Sequence, residues 1–359
     1  MAFLTTGNVA IRGIAACVPE LVEENIDLPL FLRAGEAEKV IASTGISRKR
    51  ILKKGQTTSD LCAKSAEKLL SDLNWDNNTI DALIFVSPAR DYIIPPTSSI
   101  LQDKLGLSDD CYTFDIPSGC PGWIQGINVL ASLISNGDIK RGLVLAGDAP
   151  TLLNSPKDKE TRPLFGDAGT ATALEFSPNA APFHFLFGTD GKKYKAIFTE
   201  DGGCRNPVNE ESLREIEYAP NVIRRKIDCK LDGMEVFAFG LAKVPSSVVR
   251  IMERFNISDN QIDYYLFHQA NLYMNEKIRK KLKIDPSKVP YSLRDFGNTS
   301  CASIPLTIVT QRREDYTKNN LNSLACSFGT GLNLCSFYFT TSNIVCPELI
   351  EFGELPNPV

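Results

Sequence analysis

Cys120 is the residue of this chain whose surroundings best suit a chemical role. It follows a predicted strand at residues 111–116 and a turn at 117–119, and it begins a predicted helix over residues 120–136. Free backbone N–H groups and the positive end of the helix dipole are concentrated at such a turn, and both stabilise a thiolate. The pattern indicates a nucleophilic cysteine, with a buried structural thiol as the alternative.

Two other polar residues are candidates to act with this cysteine. The chain has two histidines. His184 lies in an aromatic, strand-like stretch and is expected to be satisfied locally, whereas His268 ends an apolar run and is followed by small and polar residues suited to a strand-to-helix turn. A histidine at the end of a strand can act as a proton carrier or a hydrogen-bond donor beside a nucleophile. Asn298 follows a glycine, and the alternative for it is an ordinary turn or N-cap residue.

Strands and helices alternate along the first half of the chain. Residues 80–86 form a nearly continuous apolar run, which is typical of a strand buried on both faces of a sheet. This alternation predicts a layered α/β fold with helices packed on a sheet. The predicted strands are 8–17, 80–86, 111–116 and 141–147, and the predicted helices are 28–43, 58–73, 97–107 and 120–136.

The second half of the chain repeats the first. The same order of helix, strand, turn and helix follows each copy of one short block, which predicts a duplicated unit that forms two related sheets. We assign residues 1–176 to an N-terminal half with the cysteine, 177–343 to a C-terminal half with His268 and Asn298, and 344–359 to a tail. Paired halves bring strand ends to a shared crevice, where the three candidates are expected to meet. Asn74, Asn78, Ile80, Asp81 and Phe85 recur 182 positions later as Asn256, Asn260, Ile262, Asp263 and Phe267.

The composition excludes several classes of protein. With 359 residues, 43% hydrophobic and 23% charged residues and a net charge of −4, the chain gives no reason to expect nucleic acid or an anionic membrane as a partner. No apolar run approaches the length of a membrane span, and no basic stretch precedes an apolar core near the first residue, so we expect a cytoplasmic protein. The ten cysteines are scattered without a CxxC pair, which predicts reduced thiols and no metal site.

Several short motifs, in this order, resemble those of β-ketoacyl-[acyl-carrier-protein] synthase III. The resemblance implies a thiolase-like, five-layered αβαβα fold built from two similar halves, and a homodimer. The two similar halves agree with the internal repeat. The motifs are Ser-Gly-Cys-Pro-Gly-Trp at 118–123, Phe-Gly-Asp-Ala-Gly at 165–169, His-Gln-Ala-Asn-Leu at 268–272, Gly-Asn-Thr-Ser at 297–300 with Ala-Ser-Ile-Pro at 302–305, and Phe-Gly-Thr-Gly at 328–331.

The resemblance also implies a role for each candidate residue. Cys120 would take an acyl group from a thioester of coenzyme A or acyl carrier protein (ACP), with the backbone N–H groups of Cys120 and Thr330 as the oxyanion hole. His268 and Asn298 would donate hydrogen bonds to the enolate that malonyl-ACP forms when it loses CO₂. Asp167 is expected to brace loops near the site. Substrates are carried as thioesters, and no resident cofactor or metal is expected.

At the substrate entrance the chain departs from the family pattern. The family's adenine-binding tryptophan and arginine are replaced by Lys39 and Ser43, and Lys159, with Arg162 close by, stands where an arginine contacts the phosphates of coenzyme A. Phe237 belongs to the stretch that the resemblance assigns to the same entrance. These replacements leave the donor open between coenzyme A and ACP.

A run of basic residues is the candidate docking surface for the acidic carrier protein. Lys277, Lys280 and Lys281 fall in the predicted helix after His268. A cationic rim attracts an anionic partner, although a solvated helix face is the commoner meaning of such a run.

Two other functions remain open from the sequence. The acyl group on Cys120 could pass to an alcohol or an amine in a specialised pathway, and a requirement for malonyl-ACP with CO₂ release would separate this transfer from condensation. The chain could also be a non-catalytic partner subunit. In that case the protein would not acylate itself.

Overall fold

Two sheets form the centre of the fold. The computed structural model describes residues 2–353. Its strands are β1 (Ala2–Thr6), β2 (Val9–Pro19), β3 (Val22–Glu24), β4 (Arg48–Arg50), β5 (Ala82–Val86), β6 (Tyr112–Ile116), β7 (Arg141–Asp148), β8 (Ala168–Phe176), β9 (Phe183–Thr189), β10 (Ile197–Phe198), β11 (Ile216–Ala219), β12 (Val222–Arg224), β13 (Lys230–Leu231), β14 (Tyr264–Phe267), β15 (Asn320–Gly329), β16 (Asn333–Ser342) and β17 (Ile350–Phe352).

Ten α-helices occur among these described residues, together with short 3₁₀ turns. The helices are α1 (Glu36–Thr44), α2 (Thr58–Leu73), α3 (Thr97–Lys104), α4 (Gly122–Ile134), α5 (Pro150–Leu153), α6 (Gly233–Phe255), α7 (Leu272–Leu282), α8 (Leu293–Phe296), α9 (Ser303–Gln311) and α10 (Arg313–Lys318). The 3₁₀ turns are Asn25–Asp27, Asn77–Thr79, Gly191–Ala196, Glu210–Leu213, Asp259–Gln261, Pro286–Lys288, Ser300–Ala302 and Thr330–Leu332.

Each sheet mixes parallel and antiparallel pairs. The first has the order β17-β2-β8-β7-β5-β6, with β5 parallel to β6 and β7, and the second has the order β1-β9-β16-β15-β14, with β14 parallel to β15. The terminal strands are exchanged between the halves, because β1 pairs with β9 of the second sheet and β17 pairs with β2 of the first. Residues 2–6 therefore join the sheet opposite to the half in which the sequence places them, and the boundaries at 176 and 343 stay a prediction.

The helices pack in layers on the two sheets, as predicted for a layered α/β fold. Helices α4 and α9 lie between the sheets, and their apolar side chains share one buried cluster with residues of both. Helices α2 and α3 cover the outer face of the first sheet, and α6 and α7 cover that of the second. Trp123 on α4 is fully enclosed in the middle layer, where its indole N–H donates to Thr172 Oγ1 at 2.9 Å.

Residues of the sequence repeat do the same structural work in both copies. Asn74 ends α2 and Asn256 ends α6, each in the left-handed conformation at φ 53°, which asparagine tolerates better than most residues. Asp81 accepts a backbone N–H of β7 at 3.0 Å, and Asp263 accepts one of β15 at 2.7 Å. Each aspartate thus fixes the start of a buried strand against its parallel neighbour.

Several predicted element boundaries were wrong by a few residues. The helix predicted at 28–43 is the shorter α1, because Pro29 restricts the residue before it and Gly35 adopts φ 77° at the helix start. The helix predicted from residue 120 begins at Gly122, which leaves Cys120 in the turn. Part of the predicted tail forms β17. Residues 354–359 of that tail lie outside the described residues. No helix within residues 2–353 is long and apolar enough to cross a membrane.

Candidate active site

A cavity of about 390 Å³ lies where strand ends of the two sheets face each other. Cys120 enters it from the turn after β6, His268 from the end of β14, and Asn298 from the loop after α8. The three residues that the sequence singled out, from segments far apart in the chain, thus line one cavity.

The end of β15 closes tightly around Cys120. The Ser327 hydroxyl donates to the Cys120 carbonyl oxygen at 2.7 Å, so this strand holds the backbone of the turn. A Cβ at Gly329 would lie 2.7 Å from Cys120 Cβ and 2.9 Å from its Sγ, and only glycine lets the two segments approach so closely. On the other side, a Cβ at Gly119 would contact the Thr330 side chain at 3.2 Å. Cys120 and Thr330, the predicted oxyanion-hole residues, are therefore neighbours on the cavity wall.

The thiol of Cys120 is not stabilised as a thiolate in the way the sequence suggested. Burial raises its pKa to about 12, against the opposite effects of the Ser300 hydroxyl and of the cysteine's own backbone N–H. A helix terminus contributes at most about 2 kcal/mol to the stability of an anion, and removing a thiolate from water costs more. The expectation of a lowered pKa was wrong, because burial outweighs the helix dipole.

His268 is a buried neutral imidazole. It is 2% exposed, and burial lowers its pKa to about 3 while the backbone of Ser300 acts in the opposite direction. Its Nδ1 lies 2.9 Å from Ser303 Oγ, which also accepts the N–H of Gln269 at 3.4 Å. The Ser303 hydroxyl has no other acceptor among the described residues, so donation to Nδ1 is what satisfies its hydrogen. This arrangement favours the tautomer with its hydrogen on Nε2.

Asn298 is oriented by its own turn. Its Oδ1 accepts the backbone N–H of Ser300 at 2.9 Å, and since that N–H can only donate, the amide NH₂ is the end left for a ligand. A short parallel pairing with the loop at 164–166 holds the asparagine backbone, with Asn298 N–H bonded to Leu164 O at 2.8 Å. In the same loop, Asp167 accepts N–H groups of Leu52 and Thr151, which matches its predicted bracing role.

Two polar residues of the cavity escaped the sequence analysis. Ser300 belongs to the Gly-Asn-Thr-Ser motif, in which only Asn298 was predicted to act. Asp148 is an acid at the end of the apolar strand β7. Burial raises the pKa of Asp148 to about 7, and its Oδ1 has no hydrogen-bond partner among the described residues. An acidic residue directly after a buried strand of the same sheet as β6 was the signal that would have found it.

The rest of the cavity wall is mainly apolar. Such a lining suits a hydrocarbon chain better than a charged group. A second thiol, Cys229, also opens into the cavity. The apolar residues include Leu153, Leu164, Phe165, Ile197, Phe198, Leu231, Val236, Met274 and Phe328.

None of the predicted substrate-binding residues lines the cavity itself. Lys159 lies 3.5 Å from Glu36, and Arg162 makes two hydrogen bonds to Glu23, at 2.9 and 2.5 Å. Both cations therefore face carboxylates of the chain itself. The half-buried Arg162 guanidinium is already paired with a carboxylate, and the substrate-binding role of Lys159 and Arg162 stays a prediction.

The other predicted binding residues lie on α6 and α7, whose first turns form part of the cavity wall. The Phe237 ring stacks on Tyr273 at 5.8 Å, and Lys277 Nζ lies 5.3 Å from the centre of the Tyr273 ring. Lys281 Nζ donates to Leu241 O at 3.0 Å, while Lys280 is exposed at the surface. These residues form an aromatic and cationic rim outside the cavity, next to Val236 on α6 and beyond Met274 on α7.

The fold and the cavity define a condensing enzyme of the thiolase type, and comparisons with known proteins assign its family. Residues 114–191 match the family model for 3-oxoacyl-[acyl-carrier-protein (ACP)] synthase III, and residues 252–341 match the model for its C terminal part. A crystal structure of 3-oxoacyl-(acyl-carrier protein) synthase from Burkholderia xenovorans LB400 is 34% identical, covers 98% of this chain and 99% of its own, and superposes with a TM-score of 0.91.

Two further relatives agree. The β-ketoacyl-[acyl-carrier-protein] synthase III of Caldanaerobacter subterraneus subsp. tengcongensis is 29% identical over 327 residues, which is 91% of this chain and 96% of that protein. A 3-oxoacyl-(acyl-carrier-protein) synthase III structure is 31% identical with a TM-score of 0.88, over 93% of this chain and 99% of that one. The chain belongs to the β-ketoacyl-ACP synthase III family of acyltransferases, which confirms the resemblance found in its motifs.

Proposed function

We propose that this enzyme loads an acyl group on Cys120 and joins it to malonyl-ACP by decarboxylative Claisen condensation. The observation that carries the proposal is the convergence of Cys120, His268 and Asn298 on one cavity with an apolar wall. The products are a β-ketoacyl-ACP, CO₂ and the free thiol of the acyl donor. The reaction belongs to fatty-acid biosynthesis or to a specialised pathway that starts in the same way.

The first step transfers the acyl group to the enzyme. The sulfur of Cys120 attacks the thioester carbonyl, and the backbone N–H groups of Cys120 and Thr330 bind the resulting oxyanion. The carbon–sulfur bond to the carrier then breaks and the carrier thiol leaves. The apolar side chains around the cavity hold the acyl chain away from water.

The second step forms the new carbon–carbon bond. When malonyl-ACP loses CO₂, negative charge develops on its thioester oxygen, and donors fixed in advance stabilise that charge best. His268 supplies Nε2–H from a ring held by Ser303, and Asn298 supplies the amide end opposite Oδ1. The carbanion attacks the acyl carbon on Cys120. Loss of CO₂ generates the carbanion, so we assign no resident cofactor or metal to the reaction.

The carrier protein and a second subunit complete the proposed assembly. Lys280, exposed on α7, and the neighbouring rim of Lys277 and Lys281 suit an acidic carrier protein. For a homodimer, β6 offers an open edge of the first sheet, and near it Ile93 and Ile94 are 77% and 82% exposed. The cysteines within residues 2–353 are free thiols, which suits a reducing cytoplasm.

The decisive experiment measures the intact mass of the protein after mixing with acyl-CoAs of graded length and with the matching acyl-ACPs. We expect a mass gain that Cys120→Ala abolishes and Cys229→Ala retains, because both thiols open into the cavity but only Cys120 has the proposed role. The preferred donor identifies chain length and carrier. Absence of any adduct would favour a non-catalytic subunit.

A second measurement follows the fate of the loaded acyl group. Addition of malonyl-ACP should release CO₂ and discharge Cys120 together. Discharge to an alcohol or an amine without malonyl-ACP would instead establish the alternative acyltransferase.

A further inference from the structure

Ser300 is close to all three proposed active-site residues. Its N–H donates to Asn298 Oδ1 at 2.9 Å, its hydroxyl lies 3.8 Å from Cys120 Sγ, and its backbone acts on His268 by raising the pKa of the ring against the effect of burial. It holds this position in the left-handed conformation, at φ 51°, which a non-glycine residue adopts only when its surroundings enforce it. The hydroxyl of Ser300 is thus fixed beside the thiol.

Asp148 lies next to the 3₁₀ turn that begins with Ser300. That turn packs on β7, the strand that ends at Asp148, and Cys301 Sγ is 3.1 Å from Gly147 O. Asp148 is 3% exposed and lines the cavity, and its Oδ1 is buried without a hydrogen-bond partner among the described residues. The Ser300 side chain and the Ala149 backbone stabilise its charged form. A buried carboxylate that lacks a full set of donors is costly, so its retention in the cavity calls for a functional explanation.

The Ser300 hydroxyl has a single hydrogen and faces two acceptors. With a protonated thiol, Cys120 donates to Ser300 Oγ and the serine donates to the Asp148 carboxylate. With a thiolate, the serine donates to sulfur and a protonated Asp148 donates to the serine oxygen. The two states carry the same total charge and differ only in the positions of two protons, so their exchange brings no additional charge into the buried site.

We propose that Ser300 and Asp148 form a proton relay that generates the nucleophilic thiolate of Cys120. The Cys120 S–H bond breaks, its proton passes to Ser300 Oγ, and the serine hydrogen passes to Asp148. The sulfur then attacks the thioester carbonyl, and the departing carrier thiolate takes a proton from Ser300, which Asp148 restores. The inference rests on the proposed function, because it requires Cys120 to be the nucleophile.

The experiment measures the rate at which iodoacetamide alkylates Cys120, resolved from the other thiols by peptide mass, across about pH 5 to 10. Two sets of titratable groups interact with Asp148. Asp167 raises the pKa of Asp148, and Asp148 in turn raises the pKa of the Cys120, Cys229 and Cys301 thiols. In the wild type the rate should rise through about pH 7, as Asp148 loses its proton, to a plateau. Iodoacetamide requires no acyl donor, so this readout is independent of the condensation reaction.

Asp148→Asn keeps the shape of the side chain and removes the proton acceptor. It should abolish the rise near pH 7 and slow alkylation at pH 8 about a hundredfold, the lower end of what a positioned base contributes. Ser300→Ala should do the same because it interrupts the relay. The matched control is Ser132→Ala, which removes an exposed hydroxyl of α4 that donates to Asn128 O, and it should keep the wild-type profile.

An unchanged alkylation profile in Asp148→Asn or Ser300→Ala overturns the relay. A wild-type profile with no rise near pH 7 also overturns it, and this result does not depend on the folding of any variant. The failure of the proposed function looks different. If the wild type shows the rise but no thioester acylates Cys120, the relay stands and the substrate assignment falls.

Discussion

A methyl group placed at Gly329 tests how closely the two halves of the site must fit. The new carbon would lie 2.7 Å from Cys120 Cβ and 2.9 Å from Sγ, about 1 Å inside the distance at which carbon atoms attract each other best. Neither side can yield easily, because Gly329 is paired with Asn333 in the sheet and Ser327 holds the Cys120 backbone at 2.7 Å.

The expected cost of Gly329→Ala is therefore about 1–3 kcal/mol of folding stability, the usual penalty for overpacking a core. A displacement of the sulfur by roughly 1 Å should slow acylation about a hundredfold. The φ of Gly329 is 166°, an extended value open to alanine, so the effect is one of contact and not of backbone strain.

The assay compares the rate of Cys120 acylation, by intact mass, with the urea midpoint of the same variant. The control is Gly203→Ala, because a Cβ at Gly203 meets no atom within 4 Å. Wild-type acylation in Gly329→Ala would refute the reasoning, since it would mean that the turn around Cys120 can move without loss of function.

Three further predictions address the second step, the docking surface and the buried carboxylate. His268→Ala and Asn298→Ala should each slow malonyl-dependent CO₂ release about a hundred- to a thousandfold and leave acylation of Cys120 intact; equal loss of both steps would contradict their assignment to the enolate. Lys280→Glu should raise the KM for malonyl-ACP about fivefold at low salt and less at high salt, with Lys68→Glu on α2 as control. Because burial raises the pKa of Asp148 to about 7, its stabilising contribution is complete below the carboxyl pKa of the unfolded chain and is lost as pH rises through about 7. Urea unfolding at about pH 5 and pH 8 should therefore show Asp148→Asn gaining stability over the wild type as pH rises, and a constant difference would contradict the raised pKa.

Local sequence patterns were sufficient to predict most of the buried elements. The helix predicted at 58–73 is α2 without change, because a Thr57–Asp60 capping box starts it and Asn74 ends it in the left-handed conformation. Strand β5 is an apolar run buried at every position. In such segments the periodicity, the cap and the packing all favour the same structure.

Contacts between distant segments could not be predicted in this way. The pairing of Arg162 with Glu23 spans 139 positions, and the sequence around Arg162 does not indicate this partner. The pKa of Cys120 depends on how completely the second half of the chain buries the turn. The residues around the helix start do not reveal that burial. The role of Ser300 could not be predicted either, because it depends on contacts with Asn298 and Cys120 and not on the residue type.

The duplication explains why the site requires both halves. The turn with Cys120 rests on the end of β15 in the second half, through Ser327 and Gly329. In return, the 3₁₀ turn that follows Asn298 rests on the first half, because Cys301 Sγ lies 3.1 Å from Gly147 O and 3.5 Å from Val86 O and can donate its one hydrogen to either. Each half thus uses its strand ends to hold the other half's turn.

This reciprocal support brings the nucleophile and Ser300 together across 180 positions of sequence, close to the 182-residue spacing of the repeat. Equivalent turns of the two halves face each other. One turn carries the Cys120 thiol, and the other carries Asn298 and Ser300. A change at either strand end should therefore disturb both turns at once. Gly329→Ala should impair not only acylation but also the Ser300 contacts, and its effect on the pH profile of alkylation should resemble that of Ser300→Ala.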